Sequence, residues 1–370
     1  METLVVWGHR VSRLAAAIFT CFVLSACGDE GSKSAPACTP PGGSASDAFA
    51  PAPPSEIACG LGRGVNFGNM FDAPQEGLWN VHYAPELVTA VKSAGFSHIR
   101  LPVRWSNHAE LSADATLDEE FATRIDDVIR LALDNELFVV LDAHHYRELE
   151  GAPVDAGETA GVEPDALEDR LVNIWKQLAA RYQGTSNRLL FELYNEPHAR
   201  LTPEVWNALA ARTLTAVREI EPERTVVLGA SEWNEPEALK SLEVPDDPNL
   251  IVTVHHYVPY HFTFQGTSVE GSFAWLGTPC CDDEQKAVIV EGLDTAAAFA
   301  KQHALPVYLG EWGSSTLADT PSRVTYTRFV REQAEARGIP WAIWSLIDLG
   351  IYDPSAKEFM PEMLEALFAK

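Results

Sequence analysis

Two glutamates, Glu196 and Glu311, stand in sequence contexts that suit catalysis. Each follows a short apolar run that is typical of a buried parallel strand, and Asn195 directly precedes Glu196. Two carboxyl groups that face each other across a pocket are the minimal set for breaking a glycosidic bond. One donates a proton to the leaving oxygen, and the other, ionised, attacks the anomeric carbon. The pair therefore predicts hydrolytic chemistry on sugars, with structural salt bridges or helix caps as the alternative.

The elements that must position these side chains are eight β-rich runs that alternate with helical stretches. Most runs are nearly continuous in apolar residues, as expected for strands covered on both faces. Eight strand-then-helix units in 370 residues predict one α/β catalytic domain, a TIM (β/α)8 barrel. A doubly wound open sheet is the alternative, but no glycine-rich phosphate turn follows the first run. The predicted strands are residues 62–67, 98–103, 137–143, 188–194, 224–228, 250–255, 306–310 and 340–345.

Further polar and aromatic residues lie in or at the ends of these strands. Polar groups there are costly to bury unless they meet in a shared polar pocket. In a (β/α)8 barrel that pocket lies at the C-terminal ends of the strands, so we expect the side chains to converge. The expected binding and supporting residues are Arg100, His144, Asn195, His255, Tyr257 and Trp344.

An ordered set of motifs resembles those of glycoside hydrolase family 5, the cellulase family, in its bacterial endo-β-glucanase-like form. The resemblance covers about residues 60 to 350, with roughly one motif per strand. One departure is Phe264, which stands where a histidine is expected. The motifs are Arg63-Gly64-Val65-Asn66, Ile99-Arg100-Leu101-Pro102, Asp142-Ala143-His144-His145, Tyr194-Asn195-Glu196-Pro197, His255-His256-Tyr257, Gly310-Glu311-Trp312-Gly313 and Trp341-Ala342-Ile343-Trp344.

This resemblance implies a retaining hydrolase in which Glu196 is the general acid/base and Glu311 the nucleophile of a double displacement. It implies that Arg100 and Tyr257 hold Glu311 ionised, and that Asn195 bonds the sugar 2-hydroxyl. It also implies that His144 and His255 line the pocket and that Trp344 forms the floor on which the sugar rests. The expected substrate is cellulose or mixed-linkage β-1,3-1,4-glucan, while mannan, xyloglucan, β-1,3-glucan and endo versus exo action stay open.

Loop tryptophans are candidates for stacking against sugar rings, because an aromatic plane suits a flat, neutral ligand. Trp79, Trp233 and Trp275 follow the first, fifth and sixth predicted strands. Loop tryptophans also serve as anchors that hold a loop to its scaffold. We therefore expect either platforms for the substrate or loop anchors at these three positions.

Two other functional classes are alternatives to a glycoside hydrolase. A metal-dependent hydrolase would use residues such as His144, His145, His255, His256 and Asp348. Neighbouring histidines on a strand point to opposite faces and make poor chelates, so neither a metal nor another cofactor is expected. A non-catalytic glycan-binding lipoprotein is the second alternative. Such a protein would normally have lost one carboxylate or its supporting Arg and Asn, and all are present here.

The first 56 residues are read as export and tethering segments. Residues 1–27 resemble a lipoprotein-type signal peptide that ends at Cys27, the predicted site of lipidation, and a plain signal is the alternative. Residues 28–56, rich in Pro, Gly, Ser and Ala, predict a flexible linker, and residues 57–370 the barrel. After export, the protein is expected to be lipid-anchored to a bacterial membrane, either in the periplasm or at the cell surface. The alternative is secretion. Unmodified Cys27 in protein released to the medium would contradict the anchor.

The net charge indicates which partners to expect, and the cysteines indicate which disulfides. With 27 basic and 53 acidic residues the net charge is −26, which disfavours nucleic acid and anionic membrane surfaces. A polysaccharide or oligosaccharide is the expected partner, bound by a monomer whose membrane contact is the lipid anchor. In an oxidising compartment disulfides are expected among Cys38, Cys59, Cys280 and Cys281, with three pairings open.

Overall fold

The computed structural model describes residues 49–369, in which eight parallel strands close into a barrel in chain order. The last strand pairs with the first through Gly64 and Ala342, with Arg63↔Trp341 and Val65↔Ile343 on either side. The predicted TIM barrel is therefore confirmed. Its strands are β1 (Arg63–Asn66), β2 (His98–Val103), β3 (Phe138–Ala143), β4 (Leu189–Glu192), β5 (Val226–Gly229), β6 (Leu250–His255), β7 (Val307–Glu311) and β8 (Trp341–Ile343).

Helices connect the strands and cover the outside of the barrel. The connection from β5 to β6 differs, because it holds a 3-10 helix, Pro236–Ser241, in place of an α-helix. A small two-stranded sheet, Tyr352–Asp353 with Glu358–Phe359, follows β8. The α-helices are α1 (Pro54–Leu61), α2 (Glu86–Ala94), α3 (Glu119–Asp134), α4 (Arg147–Glu150), α5 (Leu167–Arg181), α6 (Pro203–Arg218), α7 (Tyr260–Thr263), α8 (Asp283–His303), α9 (Thr320–Ala336) and α10 (Pro361–Phe368); two further 3-10 helices are Trp105–His108 and Ser272–Trp275.

Local sequence explains where these helices begin and which face they bury. In α3 the Asp118 side chain accepts a hydrogen bond from the Phe121 amide, which caps the first turn. Ile125, Ile129 and Ala132 recur at helical spacing and are buried against the barrel. Asp282 and Gln285 form a reciprocal capping box at the start of α8.

The N-terminal end of the barrel is filled with apolar side chains. Helix α1 directly precedes β1, and its Ile57 and Leu61 are fully buried. They belong to one cluster with inward-facing strand residues such as Phe138, Val140 and Tyr308. This end of the barrel is thus a packed core, and the polar strand residues lie toward the opposite end.

Part of the segment predicted as a linker packs on the barrel. The Phe49 amide donates to the Gly184 carbonyl over 3.0 Å, and Asn187 donates to the Ala50 carbonyl over 2.6 Å. Helix α1 begins at Pro54, so folded structure starts before residue 57. Residues 1–48, including the predicted signal, Cys27 and most of the linker, lie outside the described residues, and those interpretations stay predictions.

The cysteines in the described residues are disulfide-bonded. Cys280 and Cys281 form a disulfide with each other, and Cys59 is also disulfide-bonded. Within residues 49–369, no helix combines the length and apolar character needed to cross a bilayer.

The packing of α1 generates a stability prediction. Replacing Leu61 with alanine leaves a cavity at the barrel end, and we expect a loss of about 2–5 kcal/mol in the free energy of unfolding. Urea denaturation followed by circular dichroism measures this loss. Leu111→Ala is the matched control, because Leu111 is 39% exposed and should change stability by less than about 1 kcal/mol. Equal effects of the two substitutions would contradict the assigned role of α1.

Candidate active site

A single arginine organises the C-terminal end of the barrel. Arg100 of β2 is fully buried, and its Nε and Nη2 atoms each donate to Glu192 over 2.8 Å. Its Nη1 donates to Glu311 Oε1 over 2.6 Å and to Asn66 Oδ1 over 3.0 Å. Its Nη2 also donates to Asn195 Oδ1 over 2.9 Å, which leaves the Asn195 amide NH2 as a donor.

Asp142 completes the ring of carboxylates around this arginine, with Oδ2 lying 3.1 Å from Arg100 Nη2. Burial lowers the pKa of Arg100, but Asp142, Glu192 and Glu311 outweigh this effect and raise it well above its usual range. The arginine therefore stays charged in the centre of the site and ties together residues from five strands or strand ends.

Glu311 is the last residue of β7 and is held by donors on both carboxylate oxygens. Arg100 donates to Oε1, and the Tyr257 hydroxyl donates to Oε2 over 2.9 Å. Burial raises the pKa of Glu311 to about 7, while His255, Arg100 and the Tyr257 hydrogen bond each lower it. The two donors favour the ionised form of this side chain.

Glu196 lies four residues beyond the end of β4, on a residue with a left-handed φ of 46°. Its side chain is 24% exposed, compared with 6% for Glu311, and its Oε1 lies 2.8 Å from His255 Nδ1. Burial raises the pKa of Glu196 to about 7, against the lowering effect of Arg100. Glu196 is thus the more accessible and less firmly held of the two carboxyl groups.

The two glutamates face each other at short range. One ligating atom each from Glu196, His255 and Glu311 lie within 4.8 Å of one another. His255 Nδ1 is 3.8 Å from Glu311 Oε2, so this imidazole lies between the carboxyl groups. Burial lowers the pKa of His255 to about 4, which keeps the ring neutral near pH 7.

A cleft runs over these groups as two adjoining cavities of about 480 Å³ and 720 Å³. Both are lined by His145, Arg147, Phe264 and Trp344, so they form one continuous groove. The first cavity also contains Glu196, Glu311, Asn195, His144, His255 and Tyr257. Every predicted catalytic and supporting residue except buried Arg100 therefore lines the groove.

Aromatic residues shape the floor and ends of the groove. Trp344 stacks on His144 with ring centroids 5.5 Å apart. Trp233, 46% exposed, stacks on His198 in the first cavity, and Trp79 lines the second. Trp275 instead stacks on His261 and is not among the residues that line either cavity.

Sequence reasoning assigned no role to three residues that prove central, namely Asn66, Asp142 and Glu192. Asn66 Nδ2 donates to the Gly310 carbonyl over 2.9 Å, which ties β1 to the strand that carries Glu311. Asp142 Oδ2 lies 2.6 Å from His144 Nδ1 and orients that ring. The sequence feature that could have identified these residues is a polar side chain in an otherwise apolar strand, such as Glu192 in Leu189–Glu192.

Residues that are able to hold a cation form two groups in the described chain. One consists of Glu196, His255 and Glu311, and the other of Asp72, His144 and His145. In the first group Arg100, Tyr257 and His255 already bond the carboxylate oxygens. Protein groups therefore already contact these carboxylate oxygens.

Comparisons with known proteins match the region that forms the barrel. The sequence model of the family described as Cellulase (glycosyl hydrolase family 5) matches residues 62–350. Endoglucanase H of Acetivibrio thermocellus is 31% identical over 85% of this chain and 33% of its own length. Endoglucanase A of Ruminococcus albus is 25% identical over 82% of this chain and 86% of its own length. The chain spans 33%, 39% and 59% of the first three relatives that it matches.

Solved structures give the same result. The crystal structure of Thermotoga maritima Cel5A with mannotriose is 38% identical, with a TM-score of 0.80. The match covers 85% of this chain and 100% of that chain. This chain therefore belongs to glycosyl hydrolase family 5, the cellulase family, and its barrel is an endoglucanase-like glycoside hydrolase domain.

Proposed function

We propose that this protein is a retaining endo-hydrolase of β-glucans, with Glu311 as nucleophile and Glu196 as general acid/base. The observation that carries the proposal is the distance between the two carboxyl groups, whose nearest ligating oxygens lie within 4.8 Å. Retaining glycosidases place these groups about 5–5.5 Å apart, whereas inverting enzymes leave about 6.5–9.5 Å for a water molecule. The short separation supports double displacement.

In the first step Glu311 attacks the anomeric carbon while Glu196 gives its proton to the departing glycosidic oxygen. Glu311 suits attack because Arg100 and Tyr257 stabilise its carboxylate. Burial raises the pKa of both carboxyl groups, and Glu196 suits proton donation because neither Arg100 nor Tyr257 donates a hydrogen bond to it. The products are a glycosyl ester on Glu311 and a free sugar hydroxyl.

In the second step Glu196, now ionised, removes a proton from water, and the resulting oxygen attacks the anomeric carbon of the ester. The bond to Glu311 breaks, and the sugar leaves with its original anomeric configuration. The amide NH2 of Asn195 is free to bond the sugar 2-hydroxyl, because Arg100 occupies its carbonyl oxygen. That hydrogen bond strengthens as positive charge develops on the sugar ring.

The preferred substrate is cellulose or mixed-linkage β-1,3-1,4-glucan. Matched relatives named endoglucanases support this assignment, as does a groove lined by Trp344, Trp233 and Trp79. The groove extends from the cavity that contains both glutamates into a second cavity, which gives room for several sugar units and supports cleavage within a chain. Mannan is the second candidate, because Thermotoga maritima Cel5A was crystallised with mannotriose.

Hydrolysis of a panel of polysaccharides by three proteins tests the proposal. The panel is carboxymethylcellulose, barley β-glucan, mannan, xyloglucan and laminarin. We expect the wild type to cleave barley β-glucan or carboxymethylcellulose fastest, with a rapid fall in viscosity. Glu311→Ala should show no measurable cleavage, and Glu196→Ala should be slower by about 10²–10⁴-fold. Reducing-sugar release gives the rates.

Azide separates the two roles on an activated aryl β-glycoside. It should restore turnover in Glu311→Ala and yield the α-glycosyl azide, because it replaces the missing carboxylate. In Glu196→Ala it should attack the glycosyl ester and yield the β-glycosyl azide. Glu243→Ala, a change at an exposed glutamate, serves as control and should retain wild-type rates. A wild type that cleaves no glycan on the panel would favour the glycan-binding alternative, and swapped azide products would reverse the assignments.

The hydrogen bond from Tyr257 to Glu311 generates a pH prediction. The bond stabilises the carboxylate and lowers the pKa of Glu311, so its loss in Tyr257→Phe should raise that pKa. Activity requires ionised Glu311, so the acid limb of kcat/KM should move to higher pH by about one unit. Tyr260→Phe is the matched control, because the Tyr260 hydroxyl bonds Glu235 instead. If the acid limb does not move in Tyr257→Phe, the ionisation that it reports belongs to a group other than Glu311.

A further inference from the structure

The wall of the cleft contains a second group of ligating side chains, which the two-step reaction does not use as a unit. Asp72, His144 and His145 each present one such atom, and these three atoms lie within 4.8 Å of one another. Asp72 lies in the loop after β1, and the histidines follow the end of β3. The barrel therefore brings together three residues from two separate loops.

Asp72 is the unusual member of this group. It is fully buried, and within residues 49–369 no side chain donates a hydrogen bond to its carboxylate oxygens. The main-chain amides of Asn69 and Asp72 lower the pKa of this carboxyl group without reaching full hydrogen-bond geometry. Burial of an ionised carboxyl group without a strong partner is costly, so such a group either takes up a proton or gains a cation as its partner. Burial accordingly raises the pKa of Asp72 to about 7. Its oxygens are thus free to act as ligands.

The nearest protein cation does not fill this role. Arg104 Nε donates to the main-chain carbonyl of Asp72 over 2.7 Å, not to its carboxylate. The Arg104 Nη1 atom instead lies 2.8 Å from Asp155 Oδ2 and 3.2 Å from Glu158 Oε2. Two other carboxylates therefore pair with this guanidinium, which lowers the pKa of Asp72 without forming an ion pair with its carboxylate.

The two histidines do not diverge as alternation along a strand would require. Strand β3 ends at Ala143, and His145 has a left-handed φ of 54°. The two imidazole rings consequently approach to 4.2 Å between centroids, at an interplanar angle of 78°. The expectation that adjacent histidines make a poor chelate does not apply at this position, because the pair lies beyond the strand.

His144 is also oriented as a ligand. Its Nδ1 lies 2.6 Å from Asp142 Oδ2, so this nitrogen carries the proton and Nε2 keeps its lone pair. Histidines that bind metals almost always donate their other ring N–H to a carboxylate or carbonyl in this way. Asp142 would therefore support the ligand without touching the ion.

We propose that Asp72, His144 and His145 form a binding site for a divalent cation of intermediate softness, such as Zn²⁺. Two imidazoles and one carboxylate are a common donor set for zinc, and they leave one position open. Ligands about 2.1 Å from zinc lie closer together than 4.8 Å, so the group must contract. The half-buried His145 ring, beyond the strand end, has the most room to move. Because His144 and His145 line the cleft, a bound ion would hinder sugar binding.

Titration calorimetry of the chelator-treated full chain, purified without a polyhistidine tag, tests this site with ZnCl2 alone. We expect one Zn²⁺ per chain and a rise in melting temperature upon binding. Asp72→Asn keeps the shape of the side chain but removes its charge, and should weaken binding at least tenfold. His145→Gln should do the same, and serves if Asp72→Asn fails to fold. Asp348→Asn is the matched control, because Asp348 lines the same cleft but accepts a hydrogen bond from Asn69 over 2.6 Å.

Binding is measured without sugar, so its outcome is independent of the proposed hydrolysis. A wild type that binds no Zn²⁺ would overturn the proposal. Wild-type affinity in folded Asp72→Asn and His145→Gln would also overturn it, and would point to Glu196, His255 and Glu311 instead. Loss of binding in Asp348→Asn alone would place the ion at Asp348 and would also overturn the proposal.

Discussion

The buried guanidinium of Arg100 is the interaction on which the rest of the site depends. One side chain bonds Glu192, Glu311 and the amides of Asn66 and Asn195, and pairs with Asp142. Three buried carboxylates around a single cation are tolerable because each shares its charge and its hydrogen bonds with the same group. The arrangement links strands at the C-terminal end of the barrel and fixes the position of the Glu311 carboxylate.

The two ends of the barrel differ in composition: one is a packed apolar core, and the other carries the buried polar groups of the site. At one end α1 and inward-facing apolar residues such as Leu61 and Phe138 form a packed core. At the other end buried polar residues such as Asn66, Glu192 and Glu311 form a network around Arg100. Loss of one partner in such a network leaves another charge buried and unpaired, which typically costs about 3–5 kcal/mol. The polar end is therefore rigid as well as reactive, which suits groups that must meet a sugar at short range.

Loop residues form much of the lining of the cleft above this polar network. The segment after β6 carries Phe264 and Val269 into the groove, while its Trp275 turns away to stack on His261. The first loop contributes Asn69 and Trp79 to the second cavity. Loop residues such as these vary without disturbing strand packing, so the choice of glycan is separable from the bond-breaking step.

The sequence by itself determined the barrel, most strand positions, the two glutamates and their partners, because apolar runs and strand-end motifs are local patterns. Both β2 and β6 span the predicted residues, for example. The sequence did not reveal a role for Asn66, Asp142 and Glu192, because these residues act through contacts with Arg100 or His144. The prediction that His144 and His145 point to opposite faces was wrong. Only the tertiary structure decided these points, and the burial of Asp72, because it sets which strand ends meet and how the backbone turns beyond them.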